Sequence, residues 1–174
     1  SAGMPPFKPH LIDRYLVAAH AGGIEPVICL NKIDLDTDRT ARETLSIYRQ
    51  LGYQTLETCA ISGAGIDQLR TLLAGRCSAV AGQSGVGKSS LLNAVDAAIN
   101  LRTGEVNTDT RKGRHVTTTA ILLRMSGGGY VVDTPGVKSF DLSVVPLNEI
   151  EVHLREFLPH VPHCRFADCT HLHE

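Results

Sequence analysis

The stretch GQSGVGKSS at 82–90 follows the apolar run CSAVA at 77–81 and runs into LLNAV. Gly82, Gly87, Lys88 and Ser89 satisfy the pattern G-x-x-x-x-G-K-[ST], and a strand before it and a helix after it are the context that pattern requires. Its glycines allow a tight turn whose backbone N–H groups point at a β-phosphate. Lys88 reaches the β- and γ-phosphates, and the Ser89 hydroxyl ligates Mg²⁺. The whole loop, Gly82, Gln83, Ser84, Gly85, Val86, Gly87, Lys88, Ser89 and Ser90, is therefore a candidate nucleoside triphosphate site.

Downstream, DTPG at 133–136 follows the apolar YVV. Beside a phosphate loop, Asp133 is placed to hold Mg²⁺ through water. The Gly136 N–H reaches a γ-phosphate only when triphosphate is bound, which makes the segment after it a switch. Taken alone, the four residues would read equally as a simple turn.

Upstream, NKID at 31–34 stands at the carboxyl end of the run PVICL. The carboxylate of Asp34 can accept two hydrogen bonds, from N1–H and the exocyclic amine of guanine. Adenine offers neither donor, so an unpaired carboxylate would reject it. Asn31 and Lys32 brace the loop and flank the base. After the next strand comes CAISGAGI, where Cys59, Ala60 and Ile61 stand in place of the SAK found in many GTPases; the Ala60 N–H is the expected partner of guanine O6. These residues select GTP over ATP.

Hydrophobic spacing supplies the scaffold. Leu11, Ile12, Tyr15, Leu16 and Ala19 recur with helical period before Gly22-Gly23. Further helices are expected from Arg39 to Leu51, from Ile66 to Leu73 and from Lys88 to about Ala98, with strands at 26–30, 53–59 and 77–81. TTTAILLRM, SGGG and YVVD then read as an antiparallel hairpin. The fold class is thus α/β: a three-layer P-loop domain with a mostly parallel sheet, one antiparallel edge strand, and ligands at the carboxyl ends of the strands. In LNEIEVHLREFL, Ile150, Leu154, Phe157 and Leu158 fall on one face of a further helix, which serves either this domain or a following one.

Composition agrees with a globular chain: 174 residues, 43% hydrophobic and 20% charged, with a net charge of −1. No run of about 18 apolar residues and no signal-peptide pattern is present, so a cytoplasmic protein without membrane attachment is expected. The five cysteines do not form a disulfide framework. Arg102, Arg111, Lys112, Arg114 and His115 make a local basic bias, either a solvated loop or a contact surface for phosphate or RNA.

An ordinary GTPase has its phosphate loop first and NKxD later, whereas here the order is reversed. A ligand senses where loops lie in space and not their order in the chain. An α/β domain cut at one surface loop and rejoined at its old termini therefore keeps its site. The succession NKID, CAISGAGI, GQSGVGKSSLLNAV, GRHVTTTA, DTPGV and HCRFADCTHLHE, with LIDRYLVAA before it, resembles the RsgA/YjeQ family of circularly permuted, ribosome small-subunit-dependent GTPases across essentially the whole chain.

The resemblance implies residues 1–142 as the permuted GTPase domain and 143–174 as the beginning of a C-terminal helical zinc-binding domain. The family's N-terminal OB-fold and one strand of the usual sheet would precede Ser1, so the chain reads as a fragment. Cys164, Cys169 and His171 match the family's zinc pattern, with the fourth ligand falling beyond Glu174; His173 and His163 are awkward substitutes. It also implies the 30S subunit and its rRNA as partners and hydrolysis stimulated by the subunit; the motifs themselves call for GTP/GDP and Mg²⁺, and a monomer with slow intrinsic hydrolysis is expected. Val137 follows DTPG where many GTPases place a water-orienting Gln, and His115 is the candidate replacement, with an ordinary exposed loop histidine as the alternative. Thr117, or its neighbours Thr118 and Thr119, is the candidate for the Mg²⁺ and γ-phosphate contact of the first switch.

Two other classes compete with an enzyme that binds the subunit as GTP form and leaves after hydrolysis. One is a guanine-nucleotide-gated RNA- and protein-binding module in which hydrolysis is incidental. The other is a kinase sharing the phosphate loop, which NKID opposes.

Overall fold

The computed structural model describes residues 1–101, 121–133, 142 and 145–164. In order along the chain these form α1 (Pro9–Ala21), β1 (Val27–Asn31), α2 (Thr40–Gln50), β2 (Gln54–Thr58), α3 (Ile66–Leu73), β3 (Cys77–Val80), α4 (Lys88–Val95), β4 (Ile121–Arg124) and β5 (Tyr130–Asp133). A single 3₁₀ turn, Ile33–Leu35, follows β1. β1 neighbours β2 in a two-stranded sheet, and the order of the three-stranded sheet is β3-β5-β4.

β3 and β5 pair in parallel, with Val80 opposite Asp133. Both strands therefore end at the same edge, which brings the start of the phosphate loop and Asp133 side by side. β4 pairs antiparallel with β5, Leu123 opposite Val131, and is the expected antiparallel edge strand. Its hairpin turns at Gly128 and Gly129, both at positive φ, and a Cβ on Gly129 would collide with the Arg76 backbone.

By contact the chain divides into two compact units. The first comprises Ser1–Phe7, Cys29–Glu43 and Leu56–Lys138; the second comprises Lys8–Ile28, Thr44–Thr55 and Ser139–Glu174. In the first unit the core joins Ile66 and Leu73 of α3, Leu91, Leu92 and Val95 of α4, Ile99, Met125 and Val131. α4 buries one side and ends at Asp96 because that side chain turns to the Ser126 and Ala98 N–H groups. It is thus a few residues shorter than expected. Truncating a fully packed leucine such as Leu92 to alanine costs about 2–5 kcal/mol.

In the second unit Leu16, Val17, Leu45, Tyr48 and Tyr53 are buried. The Tyr48 hydroxyl donates to Asp13 Oδ1 at 2.6 Å, and Tyr48 meets Tyr53 edge-on. His20 stacks on Tyr53, and the Arg155 guanidinium lies 4.6 Å from the centre of the same ring. Arg155 also donates to the Gly52 carbonyl and to Glu25, while His20 Nδ1 donates to the His153 carbonyl at 2.7 Å.

The helix expected over LNEIEVHLREFL is not formed. That stretch holds two 3₁₀ turns, Leu147–Glu149 and Glu151–His153, followed by a run of turns. Its backbone bonds reach three residues back, as from His153 to Ile150 and Leu154 to Glu151, and Leu154 itself is extended. The helical stripe fails because Phe157 and Leu158 remain 40% and 48% exposed. Without burial of that face, a short helix has too little to stabilise it.

Candidate guanine-nucleotide site

Every described residue of the expected site lies in the first unit. β3 leads into the phosphate loop, and α4 opens at Lys88 directly behind it. Gly82, Gly85 and Gly87 have φ of +155°, +82° and +95°. At Gly87 a side chain would be strained by that φ and would also strike Asn31 Nδ2. Lys88 Nζ is held across the loop by the Gly82 and Gln83 carbonyls, at 2.8 and 3.3 Å. Burial pulls the Lys88 ammonium below its ordinary range, and the charge of Asp133 opposes that effect. A partly desolvated cation at a helix N-terminus is a strong attractor for phosphate.

β1 delivers NKID against this loop. Asn31 ends the strand, is buried, and donates from Nδ2 to the Val86 carbonyl at 2.9 Å. Lys32, in the left-handed region at φ 62°, donates from Nζ to the neighbouring Gly85 carbonyl and to that of Met4, both at 2.7 Å. Adjacent residues of one motif thus hold adjacent carbonyls of the other. Because each peptide is planar and trans, drawing the Val86 carbonyl to Asn31 turns the Gly87 N–H to the other side of the loop. The fully buried Thr58 of β2 completes the brace, its hydroxyl lying 3.3 Å from Asn31 Oδ1 and donating to it. Cys29 Sγ lies 3.3 Å from that hydroxyl, and burial pushes its thiol up.

Asp34 sits on the 3₁₀ turn after β1 with its side chain exposed. Its Oδ1 accepts the thiol proton of Cys59 at 3.0 Å. Cys59 opens the second loop, whose turn closes by the Gly63 N–H to its carbonyl and the Cys59 N–H to Ala64. Ala60 and Ile61 form the crest of that turn, and Ile61 is 92% exposed. An apolar side chain presented to solvent beside the Asp34 carboxylate would gain by being covered by a flat aromatic group.

For Mg²⁺ the test is Asp133 at the end of β5. Its Oδ1 is buried and has no hydrogen-bond partner among the described residues. An orphaned carboxylate oxygen at the edge it shares with the phosphate loop fits a hydrated divalent cation, with Ser89 on the first turn of α4 as its companion.

Thr117, His115 and Gly136 lie outside the described residues, as do Cys169 and His171. Cys164 follows a 3₁₀ turn at Val161–His163, and no group of three or more metal-ligating side chains is found among the described residues. No described helix is long and apolar enough to cross a membrane.

Three residues that the motifs did not single out belong to the site. Asp36 and Thr58 are, with Asn31, the buried polar residues of the described chain, and all three surround the NKID turn. Arg42, in the first turn of α2, donates to the Ile33 and Asp36 carbonyls on either side of Asp34. Their sequence signal is weak, since Asp36 and Arg42 read as ordinary helix-start residues.

The chain is similar to known proteins in sequence and fold. A family profile described as RsgA GTPase matches residues 1–143. The small ribosomal subunit biogenesis GTPase RsgA of Chlorobaculum tepidum is 43% identical over 96% of this chain and 54% of its own length. The protein of that name from Moorella thermoacetica is 46% identical over 98% of this chain and 58% of its own. The chain therefore spans about half the length of such relatives. Among solved structures, YjeQ from Thermotoga maritima superposes with a TM-score of 0.81 at 40% identity, covering 99% of this chain and 58% of that one. YloQ, described as a circularly permuted GTPase, gives 0.73 at 28% identity, covering 99% and 55%. With a reversed motif order that still assembles one site, this chain belongs to the RsgA GTPase family.

Proposed function

We propose that this chain hydrolyses GTP to GDP and phosphate during late maturation of the small (30S) ribosomal subunit. The GTP-bound form binds the subunit and its rRNA, and hydrolysis promotes release. The observation that carries the reading is the pair of bonds from Asn31 and Lys32 to the Val86 and Gly85 carbonyls, which join a guanine-selective turn to a triphosphate loop. The ribosomal target is supported by the names of the relatives, which are small-subunit biogenesis GTPases.

In this reading Asp34 accepts from the base, Ala60 donates to it, and Ile61 and Lys32 cover its faces. The phosphate loop and Lys88 bind the triphosphate. Ser89 and Thr117, with Asp133 acting through water, would hold Mg²⁺, which would supply charge neutralisation at the triphosphate. Gly136 senses the γ-phosphate, and His115 orients the attacking water once the subunit positions it. Residues 1–142 are the GTPase domain and 143–174 begin a zinc-binding domain, with Cys164, Cys169 and His171 contributing to one structural Zn²⁺ site. The protein acts as a cytoplasmic monomer without membrane attachment.

The test is GTP hydrolysis by the purified full-length protein with and without small subunits, with Lys88→Ala as the blank. Strong stimulation that the variant loses supports the reading. Equal slow rates with and without subunits would leave only a guanine-nucleotide-binding module.

A further inference from the structure

We infer that Arg42 is a positioning residue for guanine recognition, locking the Asp34 turn to the strand that carries the second base-contacting loop. The inference rests on the reading of NKID as the guanine reader. Asp34 is exposed on an isolated 3₁₀ turn, closed only by the Leu35 N–H to Lys32 and the Asp36 N–H to Ile33. Such short turns have poor hydrogen-bond geometry and do not hold themselves. The direction of the Asp34 carboxylate must therefore come from neighbours.

Arg42 constrains the backbone of that turn on both flanks. Its Nη2 donates to the Ile33 carbonyl at 3.2 Å, and its Nη1 donates to the Asp36 carbonyl at 3.3 Å, one bond on each side of Asp34 and Leu35. The same Nη1 reaches the carboxylate of Asp36, whose side chain is only 2% exposed and also accepts from the Ala41 and Arg42 N–H groups. Finally, Nε donates to Glu57 Oε2 at 2.9 Å. Glu57 lies on β2 two residues before Cys59, the residue whose thiol touches Asp34. One planar guanidinium thus fixes both flanks of the base-reading turn and the strand leading to the opposing loop. A lysine retains the charge that Asp36 requires but has no fork to span these acceptors.

The experiment is competition for a fluorescent GDP analogue by GDP, IDP and ADP, using purified full-length wild type, Arg42→Lys and Glu57→Gln. IDP lacks the exocyclic amine, so part of its bonding to Asp34 is already absent. In Arg42→Lys the affinity for GDP is expected to fall about ten-fold and that for IDP by less, so that the GDP-to-IDP ratio contracts. Glu57→Gln, which keeps size, shape and an acceptor oxygen but removes the charge, contracts the ratio by less in the same direction and stands as the test should Arg42→Lys fail to fold. Equal losses for GDP and IDP, or no loss, would overturn the positioning role, since general destabilisation weakens both alike. Wild type binding GDP, IDP and ADP equally would overturn the guanine reading itself, and the role of Arg42 with it.

Discussion

Asn31 Nδ2 and the Val86 carbonyl, 55 positions apart in the chain, are 2.9 Å apart in the structure. This bond is where the reversed order of motifs ceases to matter, because it joins the end of β1 to the phosphate loop through space. Asn31→Ala leaves the Val86 carbonyl without its side-chain donor and the Thr58 hydroxyl with the Leu30 carbonyl in place of Asn31. A loss of about 1–3 kcal/mol of stability is expected, together with weaker GDP binding. Thermal unfolding and nucleotide titration check both; unchanged binding would show that the brace is dispensable.

Cys59 gives a sharper contrast. Cys59→Ser retains a donor for Asp34 and should bind GDP much as wild type does, whereas Cys59→Ala removes it. The alanine variant is expected to bind GDP several-fold more weakly, corresponding to about 1 kcal/mol for one lost hydrogen bond from a weak thiol donor to an exposed carboxylate. Equal affinities for the two variants would show that the thiol does not orient the carboxylate.

Asp96 carries an acid-limb prediction. The Ser126 N–H first, and then the Ala98 N–H, hold its carboxyl below the ordinary carboxylate range. A folded-state pKa below the unfolded one contributes stability above the ordinary value, and that contribution is lost as pH falls through the folded value. The melting temperature of Asp96→Ala should therefore lie below wild type at neutral pH, with the gap narrowing by about pH 3. A gap that stays constant across this range would contradict the assignment.

In the second unit Arg155 anchors the turns after Pro146 through the Tyr53 ring, the Gly52 carbonyl and Glu25. Arg155→Ala is expected to cost about 1–2 kcal/mol and to raise hydrogen exchange and protease cleavage within residues 147–164. Unchanged protection there would mean that other contacts hold the segment.

The motifs were legible because each is a short local pattern with a fixed chemical task. G-x-x-x-x-G-K-S demands glycines at positive φ, and these stand at 82, 85 and 87. The strands and α1 to α4 were legible from apolar periodicity, to within a few residues at their ends. What periodicity misjudged was the stretch after Pro146, where a helical stripe occurs but its apolar face stays exposed at Phe157 and Leu158. Arg42, Asp36 and Thr58 stayed hidden for another reason: their role consists of contacts made after folding, and no spacing rule marks a guanidinium that reaches backbone carbonyls.

The most direct test of the central claim is nucleotide preference in Asp34→Asn. An asparagine presents an amide N–H where the carboxylate accepted the guanine amine, so it suits the carbonyl that xanthine carries at that position. Purified full-length protein should change from preferring GDP to preferring XDP by at least about ten-fold, with Lys88 and the phosphate loop unaltered. Retention of a GDP preference in Asp34→Asn would contradict the assignment of NKID as the base reader and, with it, the permuted guanine-nucleotide site.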